Sequence, residues 1–187
     1  MSAAMTEIDP KTLIAFWRGA GPKAWFAKRD AFDQEIRARF EAVHHAAARG
    51  ELTLWQTSAE GSLGSLLLLD QFPRNLWRGS AHAFATDPLA RSIARRSIAA
   101  GFDHETEAGM RNFFYLPFAH AESLDDQVFG LACCVELERE AGVSALWARR
   151  HHAVIARFGR FPHRNASLGR ETTPEEQAFL DEGGFSG

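Results

Sequence analysis

The segment SLGSLLLLDQ, residues 62–71, is apolar all round at 66–69. A helix that is apolar on every side has only the interior to lie in, so this stretch predicts the centre of the fold. Its end is abrupt. Asp70 follows Leu66–Leu69 directly, and Phe72-Pro73 predicts the helix terminus, because proline lacks an N–H and its ring collides with the preceding turn. A corner of the same kind returns late in the chain: DQFPRNLWRG at 70–79 is echoed by GRFPHRN at 159–165.

Around the central segment the chain is punctuated as helices. Asp9-Pro10 sets a capping acid before a proline and opens a helix through Trp17, broken by Gly19, Gly21 and Pro22. A second helix runs from Asp30 to Gly50 with Phe32, Ile36, Phe40 and Val43 on one stripe. Thr57-Ser58-Ala59-Glu60 reads as a capping box for the central helix. Asp87-Pro88 opens the next, which ends at Gly101. Residues 105–115 form another, with Met110, Phe113 and Phe114 inward. Ser123 and Asp126 cap a long helix carrying Leu124, Val128, Leu131 and Val135, stopped by Gly142. Ser144 caps one carrying Trp147, Val154, Ile155 and Phe158, and Thr173-Pro174-Glu175-Glu176 starts the last. No alternation is long enough for a sheet. The expectation is an all-α chain of about eight helices in antiparallel pairs. It should form a single helical domain over 1–187, since a hydrophobic content of 45% is enough to fill one core.

The bulk numbers exclude some classes of function. A formal net charge of −3 gives no global field toward nucleic acid or an anionic membrane. The opening MSAAMTEIDP has neither the basic region nor the apolar core of a secretory leader. The apolar runs are too short to span a bilayer, so a cytoplasmic location is expected. Cys133 and Cys134 are neighbours in an apolar run and read as small buried hydrophobes rather than a disulfide. No cofactor or metal is indicated, and the oligomeric state is left open. Arg far outnumbers Lys, which occurs only at 11, 23 and 28. Arg is the better residue for planar contact with carboxylate or phosphate.

Three polar residues fall on apolar faces. Asp70 lies two turns beyond Leu63, Gln127 lies between Leu124 and Leu131, and His151 lies one turn beyond Trp147. An unpaired buried polar group costs about 2–7 kcal/mol, so each needs a partner. The candidates sit at helix ends: Arg74, Asn75 and Arg78 after the first helix, His120 and Glu122 in the FAHAE loop, and Arg160, His163, Arg164 and Asn165 after the third. If the helices pack together, the two corners and the loop converge on one cleft. Each residue also has a structural reading. The asparagines can cap helix ends, Asp70 can pair with Arg74 or Arg164 to fix packing, and His151 can be a satisfied core histidine.

LLLLDQFPRNLWRGSAHAFATD, FFYLPFAHAESLDDQ and RFGRFPHRNASLGRETTPEE together resemble the signature of the bacterial family known as domain of unknown function 924. The pairs FW at 16–17, WF at 25–26 and FD at 32–33 fit it as well. The resemblance implies an all-helical, tetratricopeptide-like superhelix, and it carries over no catalytic residues. The leading functional expectation is therefore a polar Arg/His/Asp cleft for a small anionic ligand. Arg74, Arg78 and Arg164 would bind it, and His120 and His163 would add donors. One alternative is a hydrolase in the same cleft, with His151 or His163 as general base. A zinc centre on His120, Glu122 and His151 is weaker, because that spacing is not distinctive. A scaffold for protein partners is the third reading, with the five tryptophans taken mostly as core.

Overall fold

The computed structural model describes residues 8–185. Residues 1–7, on which the reading of no leader largely rests, lie outside that range. Among the described residues the regular structure is helical throughout, with no strand. The elements are α1 (Pro10–Ala20), α2 (Pro22–Trp25), α3 (Asp30–Ala48), α4 (Ala59–Leu66), α5 (Phe72–Leu76), α6 (Asp87–Ala99), α7 (Ala108–Ala119), α8 (Leu124–Ala141), α9 (Leu146–Phe158) and α10 (Pro174–Asp181). Short 3₁₀ turns occupy Thr53–Thr57, Ala81–Phe84 and Pro162–Arg164. None of the described helices is long and apolar enough to cross a membrane.

The central segment is where its composition puts it. Residues 61–73 are all buried. α4 packs on α1, α6 and α7, and α5 packs on α3. Consecutive helices α6, α7, α8 and α9 pack each on the next across short connections. Trp17, Phe40, Phe72, Phe113, Phe114 and Phe118 are fully enclosed and form the bulk of the core.

Phe72-Pro73 does not end the helix. Between α4 and α5 the chain widens into a π turn, Leu67–Gln71, in which the Phe72 N–H reaches back to the Leu67 carbonyl. Pro73 cannot donate, so the carbonyls of Leu68 and Leu69 need other partners. The His44 Nδ1–H donates to Leu68 O at 2.8 Å, and the Thr86 hydroxyl donates to Leu69 O. Arg74 hydrogen-bonds the Asp70 carbonyl. Two side chains, His44 and Thr86, thus take up the stranded carbonyls, and the helix continues.

Three other starts fall where expected, whereas the helix expected at 105–115 runs from Ala108 to Ala119. Asp9 caps α1 through Thr12 N, Ser123 caps α8 through Asp126 N, and Thr173 with Glu176 forms the capping box of α10. The box expected at 57–60 is displaced by one residue. Ser58 is the cap and accepts from Gly61 N, while Glu60 takes no part in it. The α8 stripe is also shifted. Leu124 is 48% and Val128 53% exposed, and the inward face is Gln127, Gly130, Cys134 and Leu137. The cause is close packing. A Cβ at position 130 would stand 2.7 Å from the Phe118 Cβ, so α7 and α8 meet along the small residues. Trp147, expected inward, is 54% exposed, and α9 instead turns Ala148, His151, Val154 and Ile155 inward.

Gly61 tests the packing of the central helix. A Cβ there would lie 1.9 Å from the Trp55 carbonyl oxygen. Gly61→Ala is expected to lower stability by about 1–3 kcal/mol through overpacking, read as a lower urea midpoint with an unchanged slope. An unchanged midpoint would mean that the 53–57 turn gives way without cost.

Candidate functional site

Asp70 sits in the π turn with its side chain 1% exposed. Its Oδ1 accepts from His120 Nδ1–H at 2.8 Å and its Oδ2 from Gln71 Nε2 at 2.5 Å. Arg74 Nη1 stands 3.5 Å from Oδ1. Burial opposes ionisation of this carboxyl, but His120, the Arg74 cation and the two hydrogen bonds outweigh it. They hold Asp70 well below the usual carboxylate range. Arg74 reaches further and grips both oxygens of Asp87 at 2.9 Å each. Arg164, from the second corner, lies 3.6 Å from Asp87 and donates to the His120 carbonyl at 3.1 Å. Its guanidinium is sandwiched between Phe84 at 4.5 Å and Phe161 at 4.4 Å. Burial and the neighbouring Arg74 charge pull the Arg164 pKa down to about 10.

Three imidazoles border these groups. The His120 and His151 ring centres are 5.7 Å apart. His151 donates Nδ1–H to the Trp147 carbonyl at 2.7 Å, which fixes its tautomer, since a carbonyl only accepts. The His163 ring lies tilted beside Phe161, 5.5 Å between ring centres. Burial comes first among the causes that push all three below the ordinary histidine range, and neighbouring arginines push them further. His151 and His163 fall to about 4. The rings are therefore neutral at neutral pH. Asp70 and Asp87 then stand against Arg74 and Arg164, and both carboxylates lie nearer to Arg74 than to Arg164.

The two corners use one plan. Phe72 and Phe161 are both fully buried. In each corner an arginine (74 or 164) turns into the cluster, and the asparagine after it turns away to a carboxylate in the first turn of another helix. Asn75 donates to Asp33 of α3 at 2.7 Å, and Asn165 to Glu176 of α10 at 3.1 Å. Arg78 joins Asn75 on Asp33 at 2.6 Å, outside the cluster. Glu122 holds neither corner arginine. It binds Arg170 in a fork at 2.6 and 3.0 Å and accepts from the Phe161 N–H. Gln127 donates to the carbonyls of Ala119 and Ala121, capping the end of α7. Of the expected residues, Asp70, Arg74, His120, His151, His163 and Arg164 gather. Asn75, Arg78, Asn165 and Gln127 belong to the frame, and Glu122 links frame to cluster. The expected cleft does not coincide with either described surface cleft. One, about 330 Å³, is lined by residues such as Phe16, Arg29 and Phe32; the other, about 240 Å³, by Asp103, Tyr115 and Cys133 among others.

Asp87 and Phe84 were missed. Asp87 was read only as a helix start, and its two chemistries, first-turn acid and arginine partner, look the same in sequence. A zinc set of His120, Glu122 and His151 is disfavoured, since Asp70, Arg170 and Trp147 O already occupy the side chains. Among the described residues no group of three or more His, Cys, Asp or Glu is arranged to hold a metal. Cys133 and Cys134 are free thiols, and burial pushes them up to about 11 and about 12.

The chain belongs to the family of bacterial proteins of unknown function DUF924, whose profile matches residues 13–184. It is similar to a solved structure, the protein of unknown function ATU0120 from Agrobacterium tumefaciens. That likeness has 47% sequence identity and a TM-score of 0.85, over 92% of this chain and 97% of that one. No curated protein matches the chain.

Two outcomes follow from the cluster. Asp70→Asn removes the charge that balances Arg74 and Arg164, and is expected to cost about 3–5 kcal/mol in urea unfolding. A loss below about 1 kcal/mol would remove Asp70 from its central place. The second concerns pH. His44, His120, His151 and His163 all titrate below 6.5 in the fold. The unfolded chain takes up these protons first, so stability is level above that pH. It then falls as pH drops from 6.5 toward about 4, the value to which His151 and His163 are pushed. Urea midpoints across this range check it, and a flat profile would contradict neutral buried rings.

Proposed function

We propose that this member of the family binds the anionic group of a small molecule, phosphate or carboxylate, at the cluster of Arg74, Arg164 and His120. The observation that carries the reading is the state of Arg164. Its side chain is 7% exposed, yet its nearest carboxylate is 3.6 Å away and its Nε has no partner. A buried guanidinium carries five donors and a full charge, and this one is under-neutralised. An incoming anion supplies both acceptors and charge, and shifts the pair of arginines from mutual repulsion to shared binding.

Entry requires movement. The Phe185 ring lies 4.5 Å from His151 and 5.4 Å from His163, and so covers that side of the cluster. Displacing this C-terminal segment would expose the imidazoles without disturbing the helices beneath. A tetratricopeptide-like superhelical arrangement and a cytoplasmic location belong to the same proposal, and the anion site does not depend on either.

A second reading is hydrolysis in the same place. It is favoured by the Asp70–His120 pair, in which a carboxylate fixes Nδ1–H and leaves Nε2 as the basic nitrogen of a neutral ring. That is the arrangement of an oriented general base.

Melting in inorganic phosphate against chloride at equal ionic strength tests the anion site. At ten times Kd, phosphate is expected to stabilise the protein by about 1.4 kcal/mol, read as a rise of a few degrees. Arg74→Gln and Arg164→Gln should each abolish the rise. A rise that survives both substitutions, or no rise in the unsubstituted protein up to high phosphate, would refute the anion site.

A further inference from the structure

On the far side of α7, the loop 100–107 places Asp103 at the floor of the 240 Å³ cleft bounded by α6, α7 and α8. Asp103 is 2% exposed. Its Oδ2 accepts from the Tyr115 hydroxyl at 2.8 Å, and its Oδ1 has no partner. Among the described residues, no Arg or Lys lies within ion-pair distance of this carboxylate. The His104 Nε2 stands 3.7 Å from Oδ2, too far for a hydrogen bond, and that ring is 63% exposed. Arg111 also lines the cleft, but its Nη1 is held by Glu140 at 2.7 Å. The Arg111 Nε is itself without a partner, but no cation is in ion-pair contact with this carboxylate, so the buried acid keeps one acceptor unmet.

The rest of the cleft suggests the shape of the missing partner. Ile98, Ala132 and Leu137 give it apolar walls, and Glu136 and Glu140 stand among the lining residues. Burial first, and then Asp103, push the Tyr115 phenol upward, which keeps it a donor. The volume suits a molecule smaller than most drug-sized ligands.

We propose that this cleft binds a small organic cation with an apolar body. Its ammonium end reaches Asp103 once the loosely set His104 ring moves aside and donates to the unpartnered Oδ1, and its body lies along Ile98 and Leu137. The site shares no residue with the arginine cluster, which meets α7 at its C-terminal end through His120 and would recruit the opposite charge.

The test uses benzylamine and its neutral analogue benzyl alcohol, titrated into the full-length protein at pH 7 and followed by amide NMR shifts. Benzylamine is expected to shift the amides of residues 101–107 and the facing turns of α8, and to bind at least tenfold more tightly than the alcohol. Asp103→Asn should erase that preference. Because Asp103 also clamps its loop, Ala132→Lys serves as a second variant. Ala132 is exposed at the rim, and a tethered ammonium there should abolish the benzylamine shifts and raise the melting temperature. Equal binding of amine and alcohol overturns the proposal, as does amine binding that both variants leave unchanged.

Discussion

The fold is organised by one buried charge. Asp70 is set in the least polar stretch of the chain and is ionised there, which is tolerable only if several partners converge on it. Those partners come from separate places: Gln71 from the π turn itself, Arg74 from α5, and His120 from the end of α7. Arg74 then recruits Asp87 from the start of α6, and Arg164 closes the chain of contacts from the second corner. Hydrophobic burial would allow the helices to pack in several ways. A carboxylate that must meet these groups together permits far fewer. Linked polar groups of this kind share their fate, since loss of one leaves the others buried and unsatisfied.

The repeated corner shows how the arrangement is held. An aromatic anchors each corner in apolar surroundings, an arginine faces inward, and the following asparagine fastens the backbone to an acid at the head of another helix. The second corner is braced again by Glu122, Arg170, Arg160 and Glu176. Its arginine can therefore be kept between two phenyl rings although its charge is incompletely matched.

Much of this was legible in the sequence, for identifiable reasons. Helix ends with local chemistry, at Asp9, Ser123 and Thr173, are written in adjacent residues and were read correctly. So was the interior position of Leu66–Leu69, because that segment has no polar side. The inward set of Asp70 followed from spacing, and that of His151 from its register with Val154 and Ile155 rather than with Trp147, which faces outward. Errors arose where a distant residue decides. Nothing near Pro73 announces that His44 and Thr86 will take up the stranded carbonyls. Nothing in α8 announces that Phe118 needs the room at Gly130. Asn75 and Arg78 look like companions of Arg74 in sequence, but Asp33, far upstream, draws them away.

The π turn also sets a rule about chain length. A helix advances about 100° per residue, so deleting one residue between 67 and 71 would let the regular backbone pattern heal. Everything after the deletion would rotate by the same angle, and Arg74 would swing away from Asp87. Leucine there can be exchanged for another bulky aliphatic side chain far more readily than the count of residues can change. The irregularity thus works as a spacer whose size is fixed by what lies beyond it.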